Sequence, residues 1–228
     1  MTGPRTRVKI CGITEREHGI AAARAGADAV GLVFWAGTPR KVTAERAAAI
    51  AAAMPPFVSL VGLFVDPDPA QVRATLAAVA LDVLQFHGAE APDFCRSFGR
   101  PYLKAIAVRP ETGEAGLLEC GMRYGDAAGL LFDAPPANGL PGGTGRTFDW
   151  NTLSPRLAQR LARPIVLSGG LHPGNVGAAI RAVRPWAVDA SSGVEATGPD
   201  GRPLKGIKDS VRIAAFIEEV RNADVRSA

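Results

Sequence analysis

The chain is poor in cysteine. It has three in 228 residues, Cys11, Cys95 and Cys120, at spacings that match no zinc pattern. A low, odd count speaks against a disulfide framework and fits a reducing compartment. Aromatic residues make up 6% of the chain, and its Lys and Arg residues are dispersed rather than run together. No basic cluster with interleaved aromatics exists, so a nucleic-acid partner is not expected. The most apolar stretch, 47–65, is broken by Pro55-Pro56 and contains Ser59, which excludes it as a membrane span. The first seven residues do not lead into a signal-peptide core. No grouping of His, Asp and Glu suggests a metal, and no GxGxxG follows the first strand. A cytoplasmic protein without a membrane or nucleic-acid partner is expected.

What is present is a globular composition, 47% hydrophobic and 21% charged, with a net charge of +4. A basic surface can help draw in an anionic metabolite. The opening run Val8-Lys9-Ile10-Cys11-Gly12-Ile13-Thr14 reads as a strand, Arg7 to Cys11, ending in a glycine turn. A helix from Glu15 to Ala25 follows and stops at Gly26. The same unit then recurs. Strands are expected at 28–34, 57–65, 82–87, 102–108, 127–133, 164–167 and 186–190, apolar runs of the kind buried on both faces. Helices are expected at 43–54, with Thr43 as N-cap, and from Asp68-Pro69, with Asp68 as N-cap. Further helices are expected at 92–98, 112–120 and 150–161, from Pro173, and at 207–222. Cys95 and Cys120 fall on helices and read as core residues.

Alternating strands and helices imply a parallel sheet. Eight units in 228 residues, about 28 each, fit a single (β/α)8 barrel, a TIM barrel, better than an open sheet. One domain is expected over 1–228, with 1–6 and 223–228 as loose ends. The glycine-rich loops come after strands six, seven and eight, and barrels commonly build phosphate sites after the last two. Gly169 and Gly170 follow strand seven; Ser191, Ser192 and Gly193 follow strand eight. Glycines let the backbone approach an anion, and hydroxyls and N–H groups donate to it. Residues 134–148 form the longest irregular stretch, with Gly142-Gly-Thr-Gly145 inside it. A loop of that length in a compact domain is functional or disordered.

Cys11 reads as a nucleophile, a base or a small core residue. Lys9, two positions earlier, faces the same side of the strand, and its charge would lower the thiol pKa. Asp133, at the end of strand six, is an acid/base group or an N-cap. A thiolate facing a protonated carboxyl across the barrel mouth is a base–acid pair. At reference pKa values about 3% of the thiol is ionised at pH 7 and about 0.1% of the carboxyl is protonated. Both hold together in about 3 × 10⁻⁵ of molecules, roughly 6 kcal/mol that the site must recover. Arg40 follows strand two; its fork suits a substrate carboxylate, and the alternative is a solvated loop residue. Asp189 alternates inward with Ser191, in reach of a substrate. A lone His87 after strand four is more often structural than catalytic, and His172 reads as a neighbour of a helix N-cap.

The runs Lys9-Ile-Cys-Gly-Ile13, Thr38-Pro-Arg40, Gln85-Phe-His-Gly88, Leu131-Phe-Asp133, Gly142-Gly-Thr-Gly145, Leu167-Ser-Gly-Gly-Leu171 and Asp189-Ala-Ser-Ser-Gly-Val-Glu195 resemble the phosphoribosylanthranilate isomerase family of tryptophan biosynthesis. The matches are in order and span nearly the whole chain. Thr38, Phe86 and Ala190 stand where Ser, Leu and Val are usual, none of them at the proposed chemistry. The resemblance implies an Amadori rearrangement of N-(5-phosphoribosyl)anthranilate to 1-(2-carboxyphenylamino)-1-deoxyribulose 5-phosphate. It implies Cys11 as general base, Asp133 as general acid and Arg40 on the anthranilate carboxylate. It also implies phosphate in the last two loops and a mobile loop, with Gly143 and Gly145, closing over substrate. No cofactor is required, because the iminium is its own electron sink. Barrel helices can pack either way, so monomer and homodimer are both open. The alternatives are a barrel that only binds a phosphometabolite and a related sugar-phosphate isomerase.

Overall fold

The computed structural model describes residues 5–135 and 145–226. Eight parallel strands close into a barrel in sequence order. They are β1 Arg7–Cys11, β2 Ala29–Val33, β3 Ser59–Phe64, β4 Val83–Phe86, β5 Tyr102–Ala107, β6 Gly129–Asp133, β7 Ile165–Leu167 and β8 Ala187–Ala190. Helices α1 Arg16–Ala25, α2 Ala44–Ala51, α3 Pro69–Ala78, α4 Pro92–Arg96, α5 Gly113–Arg123, α6 Pro155–Leu161, α7 Val176–Val183 and α8 Ser210–Arg226 alternate with them. The expected (β/α)8 barrel is therefore the observed fold. β1 pairs with β8 through Lys9 opposite Asp189, which closes the ring.

Alternation along each strand sorts the side chains into two cores. Outward residues such as Ile10, Leu32, Phe64, Phe86, Phe132 and Leu167 pack against the helices. Inside the ring, Ala105, Leu131, Val166 and Ala187 lie in register across β5–β8 and form a small second core. Two residues further along β6 and β8 come Asp133 and Asp189, and on β1 Lys9 is followed by Cys11. The same alternation that buries the core thus turns polar groups inward at the C-terminal mouth.

Local signals place the helices. Thr43 Oγ1 accepts from Arg46 N and Asp68 Oδ1 from Ala70 N, so both expected caps are present. Gly26 ends α1 at φ +105°. Elsewhere the boundaries move for identifiable reasons. The helix expected over 150–161 is a 3₁₀ turn, Trp150–Leu153, followed by α6. Pro155 disfavours a helical backbone at Ser154, which instead caps α6 by accepting from Leu157 N. The helix expected from Pro173 begins at Val176, with His172–Asn175 as a turn closed by Asn175 Oδ1 on His172 N. Phe57 is fully exposed at φ +71°, in the turn before β3, not in the strand.

The last unit differs most. Strands β9 Glu195–Thr197 and β10 Pro203–Lys208 pair antiparallel, and α8 starts only at Ser210, where Asp209 Oδ1 accepts from Val211 N. The hairpin lies on the mouth: Gly206 O accepts from Thr14 Oγ1 at 2.6 Å, beside the loop after β1. At the other end of the chain order, Thr6 donates from N and Oγ1 to Asp224 of α8, at 2.8 and 2.6 Å.

Candidate active site

The C-terminal ends of β1 and β8 carry one buried cluster. Lys9 Nζ donates to Asp189 Oδ1 at 2.9 Å, and Ser168 Oγ approaches Asp189 Oδ2 at 3.5 Å. Gly31 on β2 makes room for the group. A Cβ there would stand 2.8 Å from Cys11 Sγ and 3.2 Å from Lys9 Nζ. Burial by itself would lower the Lys9 pKa, but Asp189 and the Cys11 thiol hold it well above its ordinary value, so it stays charged. Burial pushes the Cys11 thiol up, and the pull of Lys9 downward only partly offsets it. The expected lowering by Lys9 acts in that direction, yet desolvation outweighs it.

A second cluster sits on β4 and β6. Asp133 is buried, its Oδ1 accepting from Ala134 N at 2.8 Å and its Oδ2 lying 3.2 Å from His87 Nε2. Behind His87, Gln85 Nε2 is 3.1 Å from Nδ1. Gly169, at φ +87°, closes this side: a Cβ there would meet Ala134 N at 2.8 Å and Asp133 Oδ1 at 3.3 Å.

The third cluster is built around Glu195, at the start of β9. It is wholly buried and takes Arg40 Nε on Oε1 at 2.7 Å and Arg40 Nη2 on Oε2 at 2.9 Å. Gly206 N and Lys208 Nζ also donate to Oε1, at 2.9 and 3.2 Å. Lys208 Nζ reaches Ser191 O at 2.9 Å as well. Burial would raise the Glu195 pKa, but Arg40 and Lys208 hold it below its ordinary value. Burial lowers Lys208 to about 8, against the opposing pull of Glu195. Arg40 is thus a buried, ion-paired residue and not a solvated loop arginine. Its side chain crosses the Cys11-Gly12 turn, where a Cβ on Gly12, at φ +74°, would stand 2.8 Å from Arg40 Cδ and 3.2 Å from Ser191 Oγ.

The remaining expected residues line the same mouth. Gly170 sits against residues 145 and 146: a Cβ on it would fall 2.7 Å from Gly145 O. Gly145 in turn faces Ser192, since its own Cβ would come 3.9 Å from Ser192 Oγ. Ser192, Gly193 and Val194 form a 3₁₀ turn after β8, and Gly193 is packed against the Leu171 carbonyl of the preceding loop. Gly143 lies outside the described residues. Among the described residues no group of three or more His, Cys, Asp or Glu side chains could hold a metal ion, and no helix is long and apolar enough to cross a membrane. Cys95 is buried on α4 and Cys120 partly buried on α5, as expected of core residues.

The profile of the family described as N-(5'phosphoribosyl)anthranilate (PRA) isomerase matches residues 8–219. The chain belongs to the PRA isomerase family. It is 52% identical to the N-(5'-phosphoribosyl)anthranilate isomerase of Alcanivorax borkumensis over 225 residues, covering 99% of each chain. It is 53% identical to that of Thiobacillus denitrificans over 215 residues, covering 94% of this chain and 98% of the relative. The phosphoribosyl anthranilate isomerase of Thermotoga maritima superposes with a TM-score of 0.82 at 38% identity, covering 95% of this chain and 99% of its own. A family structure solved with reduced 1-(o-carboxyphenylamino)-1-deoxyribulose 5-phosphate superposes at 0.79 with 36% identity, covering 95% of this chain and 99% of that one.

Three residues of this PRA isomerase family member escape sequence reasoning. Glu195 closes the last family-like run and Lys208 falls in the helix expected over 207–222, neither with an assigned role, yet they hold Arg40 and its surroundings. His87 reads as structural, yet it lies against Asp133. The signal available for the first pair was the turn Gly198-Pro-Asp-Gly201, which marks a hairpin between residues 195 and 208.

Proposed function

We propose that this chain isomerises N-(5'-phosphoribosyl)anthranilate to 1-(2-carboxyphenylamino)-1-deoxyribulose 5-phosphate, in tryptophan biosynthesis, with Cys11 as general base and Asp133 as general acid. The observation that carries the reading is the position of these two inward groups at the C-terminal ends of β1 and β6, Cys11 beside Lys9 and Asp133 beside His87, in a chain of this family. Asp133 gives its proton to the furanose ring oxygen. The C1'–O bond breaks, and the anthranilate nitrogen supplies the electron pair that leaves C1' as an iminium. Cys11 thiolate then removes the C2' proton, and the electrons of that C–H bond neutralise the iminium to an enolamine. Ketonisation of the enolamine yields the product. No redox change occurs overall, and the nitrogen provides the electron sink.

Lys9 supports the base step. A charged ammonium beside the thiol stabilises the thiolate, and Asp189 keeps that ammonium oriented. Arg40 is assigned the anthranilate carboxylate. Two bonds to Glu195 hold its guanidinium in one plane, so little side-chain entropy is lost on binding. Gly169, Gly170, Ser191, Ser192 and Gly193 are assigned the phosphate, because the two loops meet at the mouth and glycine leaves their backbone accessible to an anion. Asp189 is assigned a substrate hydroxyl, and Gly143 and Gly145 the closure over the ligand.

A biosynthetic role of this kind supports a cytoplasmic setting. The Thermotoga maritima relative is described as dimeric; for this chain, light scattering distinguishes monomer from homodimer.

The test is loss of anthranilate-type fluorescence when purified protein meets freshly generated phosphoribosylanthranilate, beside the Cys11→Ser variant. Turnover in the wild type with a large loss in the variant supports both the reaction and the base. A folded wild type without turnover leaves a barrel that only binds phosphometabolites.

A further inference from the structure

An amide nitrogen can only donate a hydrogen bond. Gln85 Nε2 lies 3.1 Å from His87 Nδ1, and in this orientation of the amide Nδ1 accepts, which leaves Nε2 to carry the ring proton. That N–H faces Asp133 Oδ2 at 3.2 Å. Gln85 is wholly buried on β4, between Leu63 and Leu103 of the neighbouring strands, and its Oε1 has no donor among the described residues. A buried carbonyl oxygen without a donor is costly, and turning the amide by half a revolution would place Oε1 on the ring instead. The amide therefore has two orientations with opposite consequences for the ring, and the one that pairs Nε2 with the ring leaves Oε1 unsatisfied.

The backbone around His87 is tightly held. His87 N donates to Phe64 O at 2.9 Å. The next residue, Gly88, gives its N–H to Glu90, and its carbonyl accepts from Lys104 Nζ at 2.6 Å. Glu90 and Lys104 form a buried ion pair at 2.8 Å. With the main chain pinned on both sides, the imidazole bridges Gln85 and Asp133 through its two nitrogens.

We propose that Gln85 and His87 are positioning residues for the acid: Gln85 selects the Nε2–H form of His87, which holds Asp133 Oδ2 and keeps the acid's proton directed at the substrate. The proposal rests on the isomerase reading above. In this form Oδ1 accepts from Ala134 N and Oδ2 from His87, so the carboxyl plane is fixed by two donors. When Asp133 gives its proton to the ring oxygen, the carboxylate that remains is already stabilised by both N–H groups. In the opposite form, with Nδ1–H on Gln85 Oε1, the bare Nε2 would accept the Asp133 O–H and draw that proton away from the substrate.

The test begins with the ring nitrogens of His87 in ¹⁵N-labelled wild-type protein without substrate, identified by their loss in His87→Gln. The expected result is a pyrrole-type Nε2 and a pyridine-type Nδ1; the reverse assignment would overturn the proposal, and this readout needs no variant to be active. Gln85→Met removes the amide at similar volume. It should mix the two ring forms and lower kcat by about tenfold or more, with KM within about twofold, because acid–base positioning acts on the chemical step. His87→Gln keeps an N–H donor toward Asp133 and should retain more of kcat than His87→Leu. Equal kcat in these two variants, or a Gln85→Met protein with wild-type kcat, would overturn it. Absence of turnover in folded wild type would instead remove the isomerase reading, while the ring-nitrogen spectrum still judges the Gln85–His87 pairing.

Discussion

Arg40 and Glu195 stand 155 positions apart in sequence and meet through two bonds, Nε to Oε1 at 2.7 Å and Nη2 to Oε2 at 2.9 Å. Glu195 lies between Arg40 and Lys208 and is ion-paired with both. Glu195→Gln would leave two buried cations facing a neutral amide. Removing one partner of a buried pair costs about 3–5 kcal/mol, so a loss of that order is expected in urea unfolding. KM should rise by at least about tenfold as the Arg40 fork loses its orientation, with Arg40→Ala rising further. An unchanged KM in both variants would detach Arg40 from the substrate carboxylate.

Cys11→Ala and Asp133→Asn should each lower kcat by at least about 10², the lower range for a lost base or acid. Circular dichroism should show the fold intact, since both side chains lie at the mouth beyond the interior core. Near-wild-type turnover in either variant would remove that residue from its role.

Burial pushes the Cys11 thiol above its ordinary value, so its thiolate becomes more abundant as pH rises, and the rate at which iodoacetamide alkylates Cys11, followed by peptide mass, should climb into the alkaline range. Lys9→Met removes the charge that opposes this shift and should move the ascending limb to still higher pH. A limb in the same place in wild type and variant would show that Lys9 does not act on the thiol.

Lys208 links stability to pH. Its folded value of about 8 lies below the ordinary lysine value of 10.5. Between these two values the unfolded chain binds more protons, so this contribution to stability increases with pH. It is fully present above 10.5 and lost as pH falls through about 8. The difference in unfolding free energy between wild type and Lys208→Met should therefore change in favour of wild type across that window, on the order of 3 kcal/mol at most. A difference that stays constant with pH would mean that the ammonium is not destabilised in the fold.

The barrel is legible because each inner strand is a short apolar run between turn signals, and alternation survives even where a polar residue ends the strand. Cys11, Asp133 and Asp189 were visible for that reason: a polar side chain at the last inward position has nowhere to point but the mouth. The partners of those residues were not visible. Lys9 and Asp189 are 180 positions apart and come together only because β1 and β8 close the ring. His87 follows β4 while Asp133 ends β6, and nothing in either neighbourhood names the other. The β9–β10 hairpin was hidden because Ile207 continues an apolar spacing that fits α8. The structure assigns Ile207 to β10, and Asp209 caps the helix that follows.

The bonds between Thr6 and Asp224 join the first strand to the last helix. Each strand in the ring has a neighbour on both sides, so the closed order has no intrinsic start. A circular permutant that links the two ends with a short flexible segment and opens at an exposed turn away from the mouth, such as that around Phe57, would keep every strand pairing.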